Sequence, residues 1–136
     1  MERDTIQQHV GFLRGEIAVL QQENLSIRNL IDRLENDEVS ISVLDNKINI
    51  FISECIDALN HTTHPAGNYA DILKGILTGS DVKNLCDNAK ALAVRIREEI
   101  NTLEETIKSN NLKICRYQVD IDEVEAVKAE VSFHEE

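Results

Sequence analysis

The sequence predicts an all-α fold, an elongated antiparallel helical hairpin or coiled coil with a short connector helix, built to be part of a multi-chain bundle. Three observations predict it. Apolar residues recur at alternating steps of three and four over two long stretches, Ile6 to Leu59 and about Val82 to Val131, the spacing of helices that pack on helices. The composition is aliphatic: the 136 residues include no Trp, 2 Tyr, 3 Phe and a single Pro, which suits long helices zipped by Ile, Leu and Val. A polar segment carrying that Pro and several Gly separates the two stretches and lets them fold back. The chain reads as one helical domain, 1–136.

In the first helix, expected over about 5–60, the stripe runs Ile6, Val10, Leu13, Ile17, Leu20, Asn24, Ile27, Ile31, Leu34, Glu38 and Ile41. Only Asn24 and Glu38 break the apolar rule. Asp4 or Thr5 can cap the start, because a side-chain oxygen there satisfies an orphan backbone donor. Gly11 and Gly15 share a face and leave room for a partner helix, at a cost of about 1 kcal/mol each relative to Ala. An Asn in an aliphatic seam fixes register or partner. Asn110, which breaks the second stripe in the same way, is its natural mate. Glu35-Asn36-Asp37-Glu38 interrupts the pattern, and Val39 to Val43 alternates with Ser, so a kink or short break is expected near 36–40, with Ser40 capping a fresh helix. The stripe then resumes as Leu44, Ile48, Ile52, Cys55 and Leu59. Ile50, Phe51 and Ile56 widen it beyond a two-row seam, which predicts a helix covered on more than one side.

The connector, 61–80, reads HTTHPAGNYADILKGILTGS. His64 precedes Pro65 and should leave helical backbone space. Gly67 supplies a turn, and Asn68 caps a short helix, Tyr69 to Leu77, which Gly79 ends. Ser80 or Asp81 opens the second long helix, about 81–131. Its stripe is Val82, Leu85, Ala89, Leu92, Ile96, Ile100, Leu103, Ile107, Asn110, Ile114, Tyr117, Ile121 and Val124, with Arg95, Arg97, Glu98, Glu99, Glu104, Glu105 and Lys108 on the outer faces. At 1.5 Å per residue the two helices would span roughly 80 and 70 Å.

The formal charge of -11 disfavours nucleic acid and anionic membrane surfaces, which need clustered Lys and Arg. The acid is concentrated in residues 37–81 (2 basic, 7 acidic) and 118–136 (1 basic, 7 acidic), whereas 82–117 (7 basic, 5 acidic) is slightly basic. Such asymmetry can set the direction in which helices pair. The start, MERDTIQQHV, has no apolar core of a signal peptide, and no apolar run reaches the length of a membrane span. A cytoplasmic location is expected, with signal-peptide-independent export alongside a partner as the alternative. Cys55, Cys86 and Cys115 form no CxxC pair and are odd in number, so neither a disulfide framework nor a zinc site is expected.

Chemistry is not expected. His61 and His64, with Asp57 and Asp71 nearby, lack a fixed third ligand for a metal. Carboxylate pairs such as Glu98-Glu99 and Glu104-Glu105 lie beside basic residues at helical spacing and read as surface partners, not as acid/base machinery. No phosphate-cradling loop or nucleophile motif is present. The reading is a non-enzyme with no cofactor and no metal.

One segment carries a resemblance. Pro65-Ala66-Gly67-Asn68-Tyr69-Ala70-Asp71-Ile72-Leu73 matches the turn pattern W-x-G-x-x-A-x-x-(apolar) at Gly67, Ala70 and Leu73, with Pro65 in place of Trp. Together with the two flanking helices, this resembles the WXG-type helical-hairpin accessory proteins that act as chaperones or targeting partners of LXG toxins in type VII secretion. The Tyr-x-x-x-Asp/Glu export signal of that group is absent at Tyr117, which is followed at the fourth position by Ile121. The resemblance therefore implies an adaptor carried by another chain's signal. The expected function is a non-enzymatic adaptor or chaperone packing its stripes on a helical partner, with Leu13, Ile17, Leu20, Ile27, Ile100, Leu103 and Ile107 as contacts. The alternative is a coiled-coil protein that associates with itself and carries no cargo.

Overall fold

A computed structural model describes the backbone of residues 2–61 and 67–135, and the side chains of 3–61 and 71–130. Among these residues there is no strand. The elements are α1 (Glu2–Asn60), α2 (Gly67–Leu77) and α3 (Ser80–Glu135). The all-α antiparallel hairpin is therefore what the chain forms. Val131 and Pro65, like His64, fall outside the residues whose side chains are described, and the expected backbone change at His64 lies there too.

The chain divides into two compact units. Unit 1 joins Met1–Asp32 to Asn101–Glu136, and unit 2 is Arg33–Ile100. In unit 1 the antiparallel register is fixed by three bonds between α1 and α3. Asn110 donates from Nδ2 to Asn24 Oδ1 at 2.9 Å, Asn24 donates from Nδ2 to Asn111 Oδ1 at 3.0 Å, and Arg14 donates to Glu125 at 2.7 Å. The expected mating of Asn24 with Asn110 is present, and Asn111 completes it. Both seam amides are buried, so each would lose solvation without the other. Val10, Leu13 and Ile121 form the buried cluster, with Ile6, Ile17, Tyr117 and Val124 packed on it. These residues follow a strict seven-residue repeat, the seam of a two-helix coil.

Three expectations are corrected. α1 begins at Glu2, so Asp4 and Thr5 lie inside the helix. It also runs without interruption through 36–40, so the expected break is absent and Ser40 caps nothing. Each backbone N–H there keeps its partner four residues back, and Glu38 gains a side-chain partner instead of ending the helix. Arg97, expected on an outer face, reaches Glu38 with two bonds of 3.0 and 2.9 Å. α2 begins at Gly67, placing Asn68 within the helix instead of before it. A Cβ added at Gly11 or Gly15 would meet nothing within 4 Å, so both glycines border open space and α3 does not pack against them.

The α2–α3 junction is tight. Thr78 donates from both its amide and its hydroxyl to Lys74 O, at 2.9 and 2.7 Å, and Gly79 N–H donates to Ile76 O at 3.2 Å. A Cβ at Gly79 would stand 2.8 Å from Gly75 O, a contact that only glycine avoids.

Candidate helix-docking flank

The seven-residue rows of unit 2 locate its seam. On α3, Ile100 is fully buried, and stepping back by seven gives Ala93 and Cys86, both half-buried. On α1, stepping back by seven from the half-buried Leu59 and Ile52 gives Asp45 and Glu38, both also half-buried. The second row of each helix is Leu34, Ile41, Ile48 and Cys55 on α1 and Ile96, Ala89 and Val82 on α3. The seam of unit 2 thus contains two carboxylates, two cysteines and small alanines.

Leu44, Leu85 and Leu92, expected in this seam, are not in it: they are 56, 58 and 51% exposed. The rows explain the correction. Leu44 lies one position before Asp45, Leu85 one before Cys86 and Leu92 one before Ala93. A helix turns 100° per residue, so phase, not local hydrophobicity, decides which neighbour faces the partner.

The displaced leucines share a side. In an antiparallel pair the residues just before the first seam row of each helix, heptad position g, line the same flank. Leu44 and Phe51 occupy that position on α1, a heptad apart; Leu85 and Leu92 occupy it on α3, also a heptad apart. The opposite flank is polar there: Ser42 and Asn49 on α1, Lys83, Lys90 and Arg97 on α3. Unit 2 therefore carries an apolar row beside its seam on each long helix, as in helices packed on two sides. At the connector end, α2 provides part of the second covering. Phe51, Cys55 and Leu59 of α1 and Leu73, Ile76 and Leu77 of α2 line an apolar hollow of about 360 Å³.

Asp45 is the odd member of the seam. Its Oδ1 is buried without a hydrogen-bond partner. Lys90 stands to Asp45 as Arg97 stands to Glu38, one heptad away on each helix, yet it is exposed and makes no ion pair with it. The residues proposed from sequence as partner contacts are placed as follows. Leu13 and Ile100 are buried, and Ile17, Leu20, Ile27, Leu103 and Ile107 are half-buried, all on seam positions of α1 or α3. Of the turn residues, Leu73 lines the apolar hollow, while Gly67 and Ala70 lie in the first turn of α2, where only backbone is described. The sequence pattern did not single out Leu44, Phe51, Leu85 and Leu92 as a flank. Strict stepping by seven from Ile52 and Ile100 is the signal that finds it.

Among the described residues, no group of three or more His, Cys, Asp or Glu side chains converges to hold a metal ion. His61 is exposed, 3.8 Å from the Asp57 carboxylate. A polar hollow in unit 1, about 270 Å³, is edged by the Arg14–Glu125 pair and Lys128; Arg14 and Glu125 are exposed and paired with each other, and Lys128 is half-buried. No described helix is long and apolar enough to cross a membrane. No protein-family model, curated protein or solved structure matches the chain.

Proposed function

We propose that this chain is a non-enzymatic helical adaptor, whose unit 2 flank takes up helices of a partner protein and so completes a bundle. The observation that carries this reading is the exposure of Leu44, Phe51, Leu85 and Leu92 at heptad spacing on one side of an already formed helix pair. Exposed apolar side chains in register along two helices are costly in water and favourable against a third and fourth helix. A chaperone or targeting role toward an LXG toxin in type VII secretion is the specific form suggested by Gly67, Ala70 and Leu73 between two long helices. In that form the export signal belongs to the partner.

The test is co-expression with the helical targeting domain of an LXG toxin encoded by the same genome. The expected result is a stable complex that Leu44→Glu combined with Leu85→Glu abolishes, with helix content unchanged because neither residue is in the seam. Leu20→Asp, inside the seam, should instead reduce helix content. A complex that survives the flank variant would remove the flank from the reading, and the absence of any complex would remove the toxin.

A further inference from the structure

We infer that, in the absence of another partner, the flank of unit 2 is occupied by a second copy of this chain, packed antiparallel about a two-fold axis that crosses both helices. The inference rests on the preceding reading only in treating the flank as an interaction surface. Apolar and charged residues along the flank are spaced for such a contact. On α3 the exposed pair Leu85 and Leu92 is bracketed by Asp81 on one side and Arg95 on the other, fourteen positions apart on the row beside the leucines. An antiparallel two-fold through the midpoint of the leucines sets Leu85 against Leu92 of the second copy. It also sets Asp81 within one residue of Arg95 of that copy, twice over. Neither Asp81 nor Arg95 has an ion-pair partner within the chain among the described residues. On α1 the same operation sets Leu44 against Phe51. A parallel arrangement, α1 against α3 of the copy, would bring Glu54 beside Asp81 and leave Arg95 beside Ser40, so charge selects the antiparallel one. Lys47 lies near the axis and meets its own copy; its long stem lets the ammonium turn to solvent. An isologous contact of this kind closes on itself, so the assembly stops at two chains.

The experiment is light scattering on the chain alone, over a wide concentration series. The expected result is a doubling of mass as concentration rises, abolished in Leu85→Glu/Leu92→Glu with helix content retained. Asp81→Arg and Arg95→Asp should each weaken the dimer by on the order of tenfold, and the two together should restore it, since the swap recreates both pairs. A monomer at every concentration overturns the inference, while complex formation with a toxin domain would leave the adaptor reading standing. A dimer that ignores the leucine variant, or single swaps that the double fails to rescue, overturns the surface or the orientation.

Discussion

Unit 1 and unit 2 share the same two long helices, unit 2 adding α2, and pack by different rules. Of the described buried residues, Val10, Leu13, Asn24, Ile31, Asn110 and Ile121 belong to unit 1 and Ile100 alone to unit 2. Unit 1 keeps a strict two-row seam and fills it with aliphatic layers and one satisfied amide layer. Unit 2 gives seam positions to Glu38, Asp45, Cys86, Ala89 and Ala93 and carries its leucines on the flank. The difference teaches that the two stretches use their seams differently: unit 1 buries an apolar seam, although Phe12, Val19, Leu112 and Val119 stay exposed outside it, whereas unit 2 gives seam positions to carboxylates and small residues and sets leucines in register beside them.

Breaking unit 1 should have the largest effect. Ile121→Ala leaves a cavity beside Leu13 and Val10 and should cost roughly 2–5 kcal/mol in urea unfolding, whereas Leu92→Ala should cost less than about 0.5 kcal/mol at concentrations where the chain is a monomer. Equal losses would erase the contrast. Next comes the amide layer. Asn24→Ala strands the buried Asn110 amide and should lower stability by roughly 1–3 kcal/mol. Asn24→Leu with Asn110→Leu should exceed the parent in thermal unfolding while loosening register; a double variant weaker than the single would refute the role of the layer.

Making unit 2 resemble unit 1 comes third. Asp45→Leu replaces an unpartnered buried oxygen opposite small residues and should raise stability by about 1 kcal/mol in chemical denaturation. A loss would show that the carboxylate has a partner. Smallest is Arg97→Ala. Arg97 and Glu38 are 47 and 24% exposed, so the loss should be about 0.2–1 kcal/mol and should shrink in high salt. A loss independent of salt would assign it to the packing of the Arg97 stem.

The long helices, their antiparallel pairing and the Asn24–Asn110 contact were legible because apolar spacing reports helix phase directly. The charged run at 35–38 suggests a helix end near 36–40, yet α1 continues through it, because Glu, Asn and Asp cost a helix little when one of them is paired from across the seam. The flank is hidden in the sequence because at 44/45, 85/86 and 92/93 the more apolar neighbour is the one outside the seam. There the long-range phase set by Ile52, Leu59 and Ile100 prevails over local hydrophobicity. The specific partner leaves no such periodic signature.

The distance along the chain between mates in unit 1 has a consequence for synthesis. Arg14 and Glu125 are 111 residues apart, and the Asn24–Asn110 bond spans 86, so the described buried residues lie mostly in layers that close the longest loops, and none lies next to the connector. Zippering outward from the turn therefore begins on weak ground, and its gain arrives late. On the ribosome, the stripe from Ile6 to Ile31 has no mate until the segment after Ile100 has been made. Throughout that interval it is a bare amphipathic helix, the form most open to chaperone capture or premature association. A chain released at Ile100 should accordingly bind a hydrophobic dye far more than the full chain; equal binding would show that the early half finds another cover.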